Sequence, residues 1–325
     1  MFVKKSVGIV GAGITAAVII GAIMVFAMNQ NATQTSPDNK LESPKEKTET
    51  AKLNVVASFY PLYQFSKGVG GDKVDVSTLI PSGIEPHEWE PSPGDLVSLK
   101  HANVFVYNGV GMEPFIDRLI ASEEYKNTVF VESTKKIELI KITDENEARF
   151  MNNPHVWLDP ILAKQQVAEI KDAFSKADPS NADYYAQNAD DYNAKLDALD
   201  AKIRSGLSDC KKDTFMPFHD AYPYFAKRYG LKSLPLSGIS PDSEITSSEL
   251  KKFVDYVKAN HVQVIFDEEL VDPRLAQVLA DEAGAKVMVF SPLEGLTDDE
   301  IKAGMTYFDK MDENLQNIKV ALECS

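Results

Sequence analysis

The sequence predicts an α/β protein: two α/β lobes joined by a long helix. Two observations carry this. Short runs of β-branched and aromatic residues alternate with amphipathic segments on both sides of the chain's middle, which is the pattern of βα units around largely parallel sheets. Near the middle, a long stretch with helical spacing interrupts that alternation.

In the first half, Leu53–Ala57, Val74–Ile80, Val104–Tyr107 and Thr128–Val131 read as strands. Leu62–Val69 and Pro93–His101 read as helices between them. The rhythm then breaks into two helices, Ile161–Ala177 and Asn181–Ser208, punctuated by Asp178-Pro179-Ser180, where Pro179 suits a helix start. In the second of these, Tyr185, Ala189, Tyr192, Leu196, Leu199 and Ile203 recur every three or four residues, so one face is apolar. A helix of that length in that position can join two lobes. Beyond it, strands are expected at Thr214–Pro217, Ser233–Leu236, Val262–Phe266 and Lys286–Phe290. Helices are expected at Tyr222–Tyr229, Ser247–Asn260, Arg274–Ala283 and Asp298–Leu322. The implied organisation is a first lobe over 53–180, a connecting helix over 181–208 and a second lobe over 209–325.

The 325 residues are 44% hydrophobic and 26% charged, an ordinary globular composition. The net charge of −15 argues against a nucleic-acid partner. Val7–Met28 is an uncharged apolar run that would span roughly 33 Å as a helix, enough for a bilayer core. Lys4 and Lys5 precede it, which places the N-terminus inside and the body outside. The run exceeds the usual signal-peptide core, so an uncleaved anchor over 1–28 is favoured over a cleaved signal. Gly11-x-Gly13-x-x-Ala16 within it mimics a dinucleotide-binding fingerprint, but the apolar run continues and no acidic residue follows at the required distance. Residues 29–52 are polar and read as a flexible tether, with a glycosylation sequon at Asn31-Ala32-Thr33. An external body permits a disulfide between Cys210 and Cys324, but sequence spacing alone leaves pairing open.

Three of the five histidines sit in separate motif-like loops. They are His87 in Glu85-Pro86-His87-Glu88-Trp89-Glu90-Pro91, His155 in Asn153-Pro154-His155-Val156-Trp157-Leu158-Asp159-Pro160, and His219 in Phe218-His219-Asp220-Ala221-Tyr222. Neutral imidazole is a common zinc ligand, although a single loop histidine is more often a surface or hydrogen-bonded residue. His87 follows the second strand and His219 the first strand of the second half, where open α/β folds place ligands. His101 and His261 end helices and read as ordinary C-terminal residues. Asp159 and Asp220 are candidates to orient imidazoles, with helix capping as the competing reading. Catalytic zinc usually keeps an open position beside three protein ligands. A fourth ligand therefore separates carrying a metal from using it. Glu294, in Ser291-Pro292-Leu293-Glu294-Gly295-Leu296-Thr297 after the last strand, is the candidate, and Gly295 would let the backbone turn there. His87-Glu88 begins like a zinc-protease motif, but Pro91 occupies the second ligand's place and breaks the helix.

These motifs together resemble the metal-binding solute receptors of ATP-driven importers, of the zinc type called ZnuA or AdcA. Ser58-Phe59-Tyr60-Pro61-Leu62 resembles that family's opening strand and turn. The resemblance spans most of Leu53–Ala321. It implies two Rossmann-like lobes held by a stiff helix, with zinc in the inter-lobe cleft on His87, His155, His219 and Glu294. Manganese receptors of the same fold tend to carry an acidic third ligand, so His219 favours zinc, with manganese or another divalent metal as the alternative. It further implies a monomeric, non-enzymatic receptor outside the membrane, whose partners are an ABC permease and its cytoplasmic ATPase. The alternatives are a surface adhesin with a structural metal and, behind it, a secreted zinc hydrolase. Two departures from the family pattern stand out. Lys135–Asn153 is acidic and lacks the histidines many zinc receptors carry there, and no lipid-anchor cysteine follows the apolar run.

Overall fold

The computed structural model describes residues 51–142 and 150–325. The apolar run at 7–28, the sequon and all but the last two residues of the expected tether therefore lie outside the described residues. Among the described residues, no helix is long and apolar enough to cross a membrane.

The first lobe is a parallel four-stranded sheet in the order β2-β1-β3-β4. Its strands are β1 (Leu53–Ala57), β2 (Val74–Thr78), β3 (Val104–Tyr107) and β4 (Val129–Glu132). The central strands are buried on both faces, as continuous Val-rich runs require, whereas the edge strands β2 and β4 are partly exposed. Helices α1 (Tyr60–Gly70), α2 (Asp95–Leu99) and α3 (Ile116–Ile120) fill the connections. Pro61 sits in the first turn of α1, where its missing N–H costs nothing, and Gly71 at φ 53° ends the helix.

Helix α4 (Pro160–Ala177) starts sharply because Asp159 caps it and Pro160 opens it. Helix α5 (Ala182–Gly206), 25 residues long, lies between the two sheet-bearing parts of the chain. It buries the predicted stripe from Tyr185 to Ile203 against α1 and α4 of the first lobe and against α10 (Tyr307–Ala321) of the second. Gly68 of α1 allows the close approach, since a β-carbon there would lie 2.2 Å from the Tyr192 ring.

The second lobe carries two parallel strand pairs, β5 (Thr214–Phe215) with β6 (Lys232–Ser233), and β7 (Val264–Asp267) with β8 (Lys286–Val289). Helices α6 (Pro223–Tyr229), α7 (Ser247–Ala259) and α8 (Arg274–Ala283) complete its βα units. Two expectations need correction. Strand β6 ends before Leu234 rather than running to Leu236, because Pro235 has no N–H for the ladder. The single helix expected over 298–322 is two, α9 (Asp298–Ala303) and α10. Gly304 ends α9 in the left-handed region at φ 72°, and Thr306 with Asp309 forms a capping box that restarts the chain as α10.

Cys210 and Cys324 form a disulfide across a separation of 114 residues, tying the start of the second lobe to the end of the chain.

Candidate metal centre

Each expected ligand sits on a loop beyond a strand or helix start that fixes it. The His87 loop leaves the carboxyl end of β2, and its backbone N–H donates to both Glu85 carboxylate oxygens at 3.0 and 3.1 Å. His155 precedes a single 3-10 turn, Val156–Leu158, that leads into α4. Its neighbour Trp157 packs edge-on against Phe59 and donates from Nε1 to the Pro292 carbonyl at 2.7 Å, close to Glu294. His219 follows β5, and Ser237 and Asp220 backbone N–H groups pin its flanks.

Glu294 depends on a strained residue. Leu293, fully buried, adopts φ 58°, a conformation that costs a side-chain-bearing residue about 1–3 kcal/mol. The sharp turn is thus at Leu293 and not at Gly295. Gly295 serves a different purpose: a β-carbon there would lie 3.0 Å from Leu270 and 3.9 Å from the Gly83 backbone of the His87 loop. The Ser291 backbone is held at both ends by the Asn314 side chain, at 2.8 and 2.7 Å.

The structure brings His87, His155, His219 and Glu294 together, all buried, with their four donor atoms within 4.8 Å of one another. His155 Nε2 lies 3.1 Å from His87 Nε2, 3.1 Å from His219 Nε2 and 3.0 Å from Glu294 Oε1. Glu294 Oε1 lies 3.2 Å from His87 Nε2 and 3.5 Å from His219 Nε2. A tetrahedron of zinc–ligand bonds near 2.0 Å has edges of about 3.3 Å, so these spacings fit a four-coordinate zinc.

Oxygen atoms behind the rings set their tautomers. Asn153 Oδ1 accepts from the His155 backbone N–H and from His155 Nδ1, both at 3.0 Å. Glu268 Oε1 accepts from the His219 backbone N–H at 3.1 Å and from Nδ1 at 2.6 Å. Each ring therefore carries a proton on Nδ1 and turns Nε2 toward the centre. His87 Nδ1 is buried with no hydrogen-bond partner among the described residues. Sequence reasoning missed Glu268 and Asn153 as ring partners and proposed Asp159 and Asp220. Asp159 instead takes the capping role, accepting from Ile161 N–H at 2.9 Å and pairing with Arg228 at 2.8 Å. The Asp220 backbone carbonyl accepts from Asn153. His101 and His261 are exposed and outside the cluster.

Charge and burial oppose one another here. Burial pushes His155 down to about 3, so it is neutral at physiological pH. Burial also works against the charge on His219, but the Glu268 and Glu294 carboxylates outweigh it and hold its pKa well above the usual histidine value. Burial likewise opposes ionisation of Glu294, yet the surrounding imidazoles hold it well below the usual carboxylate range. Burial raises Glu268, against the pull of His219. Glu85 is pushed up to about 7, first by burial, against the pull of His87.

Behind Glu294 lies a buried lysine. Lys310 Nζ contacts Glu269 at 2.6 Å, Glu300 at 2.5 Å and Glu313 at 3.1 Å. Glu269 adjoins Glu268, and Glu300 completes the capping box of α9 immediately after the Glu294 loop. One cation thus fastens the bases of two loops of the centre.

Residues 55–321 match the family model for the zinc-uptake complex component A, periplasmic. The high-affinity zinc uptake system protein ZnuA of Bacillus subtilis is 38% identical over 309 residues, covering 92% of this chain and 94% of that protein. The zinc-binding lipoprotein AdcA of Streptococcus pneumoniae is 37% identical over 283 residues, covering 84% of this chain. The chain spans 56% of that protein's length. The crystal structure of the Zn(II)-bound ZnuA-like domain of the pneumococcal AdcA superposes with a TM-score of 0.74 at 37% identity, covering 84% of this chain and all of that domain.

Proposed function

The chain belongs to the ZnuA family of zinc-uptake components, and from that premise we propose that His87, His155, His219 and Glu294 are the zinc ligands of an importer's capture protein. The protein is a receptor and not an enzyme. It takes up Zn²⁺ outside the cytoplasmic membrane and delivers it to an ABC permease driven by a cytoplasmic ATPase. The observation that supports this most is the fourth ligand. Glu294 Oε1 stands 3.0–3.5 Å from all three Nε2 atoms. It fills the position that a zinc hydrolase would leave to water. Its charge leaves a Zn²⁺ complex with a single net positive charge in a buried site. Family membership favours the receptor over the adhesin and hydrolase readings.

The body's attachment belongs to the same proposal. The pneumococcal relative is named a lipoprotein, whereas both cysteines of this chain are in the disulfide. The apolar run at Val7–Met28 is the segment that would hold the body to the membrane. Zinc titration of the purified protein and of His87→Ala, His155→Ala, His219→Ala and Glu294→Ala variants tests the ligand set. Each substitution should weaken zinc binding severely, and unchanged affinity in any of them would remove that residue from the set.

A further inference from the structure

We propose that Asn153 is a positioning residue that ties the histidine loop of the first lobe to that of the second, so that His155 and His219 are set as a pair. The proposal rests on the zinc reading above. Asn153 is 1% exposed, and its hydrogen-bonding groups are occupied. Its N–H donates to the Ile140 carbonyl at 2.9 Å, and its carbonyl accepts from the Tyr224 hydroxyl at 2.8 Å. Its side chain faces two loops at once. Oδ1 accepts from the His155 backbone and ring. Nδ2 donates to the Asp220 carbonyl at 2.7 Å, one residue beyond His219.

The orientation of this amide is fixed chemically. The His155 backbone N–H can only donate and the Asp220 carbonyl can only accept, so the oxygen must face His155 and the nitrogen Asp220. It follows that His155 Nδ1 donates and Nε2 is free for metal. The same rigid amide plane links that ring to the backbone beside His219. Other side chains cross between the two halves, among them Trp157 to Pro292 and Tyr307 to Trp157. Neither bonds a ligand ring. Glu268 bonds a ligand ring but from within the same lobe. The Asn153 side chain bonds both a ligand imidazole of one lobe and the backbone of a ligand loop of the other.

Only an amide of this length supplies both functions. Asp could still accept from His155, but it would set a carboxylate oxygen against the Asp220 carbonyl. Ala supplies neither contact. The test uses the purified full chain and three substitutions: Asn153→Ala, Asn153→Asp and Tyr224→Phe. Zinc affinity is read by competition with a chromogenic chelator, ligand geometry from the visible spectrum of the Co²⁺-loaded protein, and folding from thermal unfolding without metal. Loss of partners behind metal ligands typically weakens binding 10–100-fold, and Asn153→Ala should fall in that range. Asn153→Asp should remain about 5-fold or more weaker than wild type, with an altered Co²⁺ spectrum, despite its intact contact to His155. In a His219→Ala background, Asn153→Asp should cost nothing further. Tyr224→Phe, which removes backbone anchoring alone, should lower the unfolding temperature and leave zinc affinity within about twofold. Wild-type affinity in Asn153→Ala, or in Asn153→Asp, would overturn the proposal, the latter by showing that orientation of His155 alone matters. A parallel fall in affinity and unfolding temperature across all three variants would also overturn it. Failure of the wild type to bind zinc would overturn the zinc reading itself, and that outcome is seen before any variant is compared.

Discussion

Raising the pH above 7 should strengthen zinc binding, by at most about tenfold per pH unit for the proton that His219 must give up, because the metal displaces it. His155 contributes no proton, since burial holds it neutral far below neutrality. Glu294 is already ionised. His219 is the exception: Glu268 and Glu294 flank it and keep its pKa well above the free value of about 6.5. Its Nδ1 proton faces Glu268 at 2.6 Å and stays when metal binds. The proton on Nε2, toward Glu294 at 3.5 Å, occupies the lone pair zinc requires. One proton displaced per metal gives about 1.4 kcal/mol per pH unit, for as long as the pH is below the raised pKa. The sign for folding is the reverse. A raised histidine pKa adds stability to the metal-free fold below the unfolded value of about 6.5, and that stability is lost as pH rises through the folded value. Acid thus favours the metal-free protein twice. Competition titrations at pH 7, 7.5 and 8, with proton release followed by an indicator in weak buffer, measure both quantities. A flat profile would refute a protonated His219.

Three further outcomes follow from the same geometry. Glu268→Gln keeps an acceptor but removes the charge that holds the His219 proton, so the pH dependence of zinc affinity above pH 7 should flatten, as the same titration would show. Lys310→Met leaves Glu269 and Glu300 facing each other without their buried cation. It should cost about 3 kcal/mol and lower the unfolding temperature by roughly 6 °C or more, measurable by calorimetry. Removing the disulfide as Cys210→Ser with Cys324→Ser frees a loop of 114 residues in the unfolded chain. The chain-entropy model then predicts a loss approaching 5 kcal/mol, read by denaturant unfolding, with little change in zinc affinity.

Much of the fold was legible because its determinants are local. The runs Leu53–Ala57 and Val104–Tyr107 are continuous and apolar, and they form strands buried on both faces. The stripe from Tyr185 to Ile203 is an unambiguous helical face, and it packs as one. The misplaced features turn on one or two residues. Gly304 and Thr306 split a helix whose apolar spacing continues through them, and Pro235 shortens β6. The four centre residues were visible because each lies in a distinctive loop motif. Their supporting partners were not, since support comes from tertiary proximity. Glu268 meets His219 across 49 residues, with no motif to announce it. Asp159 looked suited to orient an imidazole, but the N-terminus of α4 and Arg228 occupy its carboxylate. The pairing of Cys210 with Cys324 depends on the chain's return along α10, which spacing cannot reveal.

Zinc K-edge X-ray absorption of the loaded protein in solution tests the central claim most directly. A closed centre of His87, His155, His219 and Glu294 predicts four nitrogen or oxygen scatterers at about 2.0 Å, with outer-shell scattering from three imidazoles. Five or six light scatterers at longer distance, or an imidazole count of two or fewer, would contradict it.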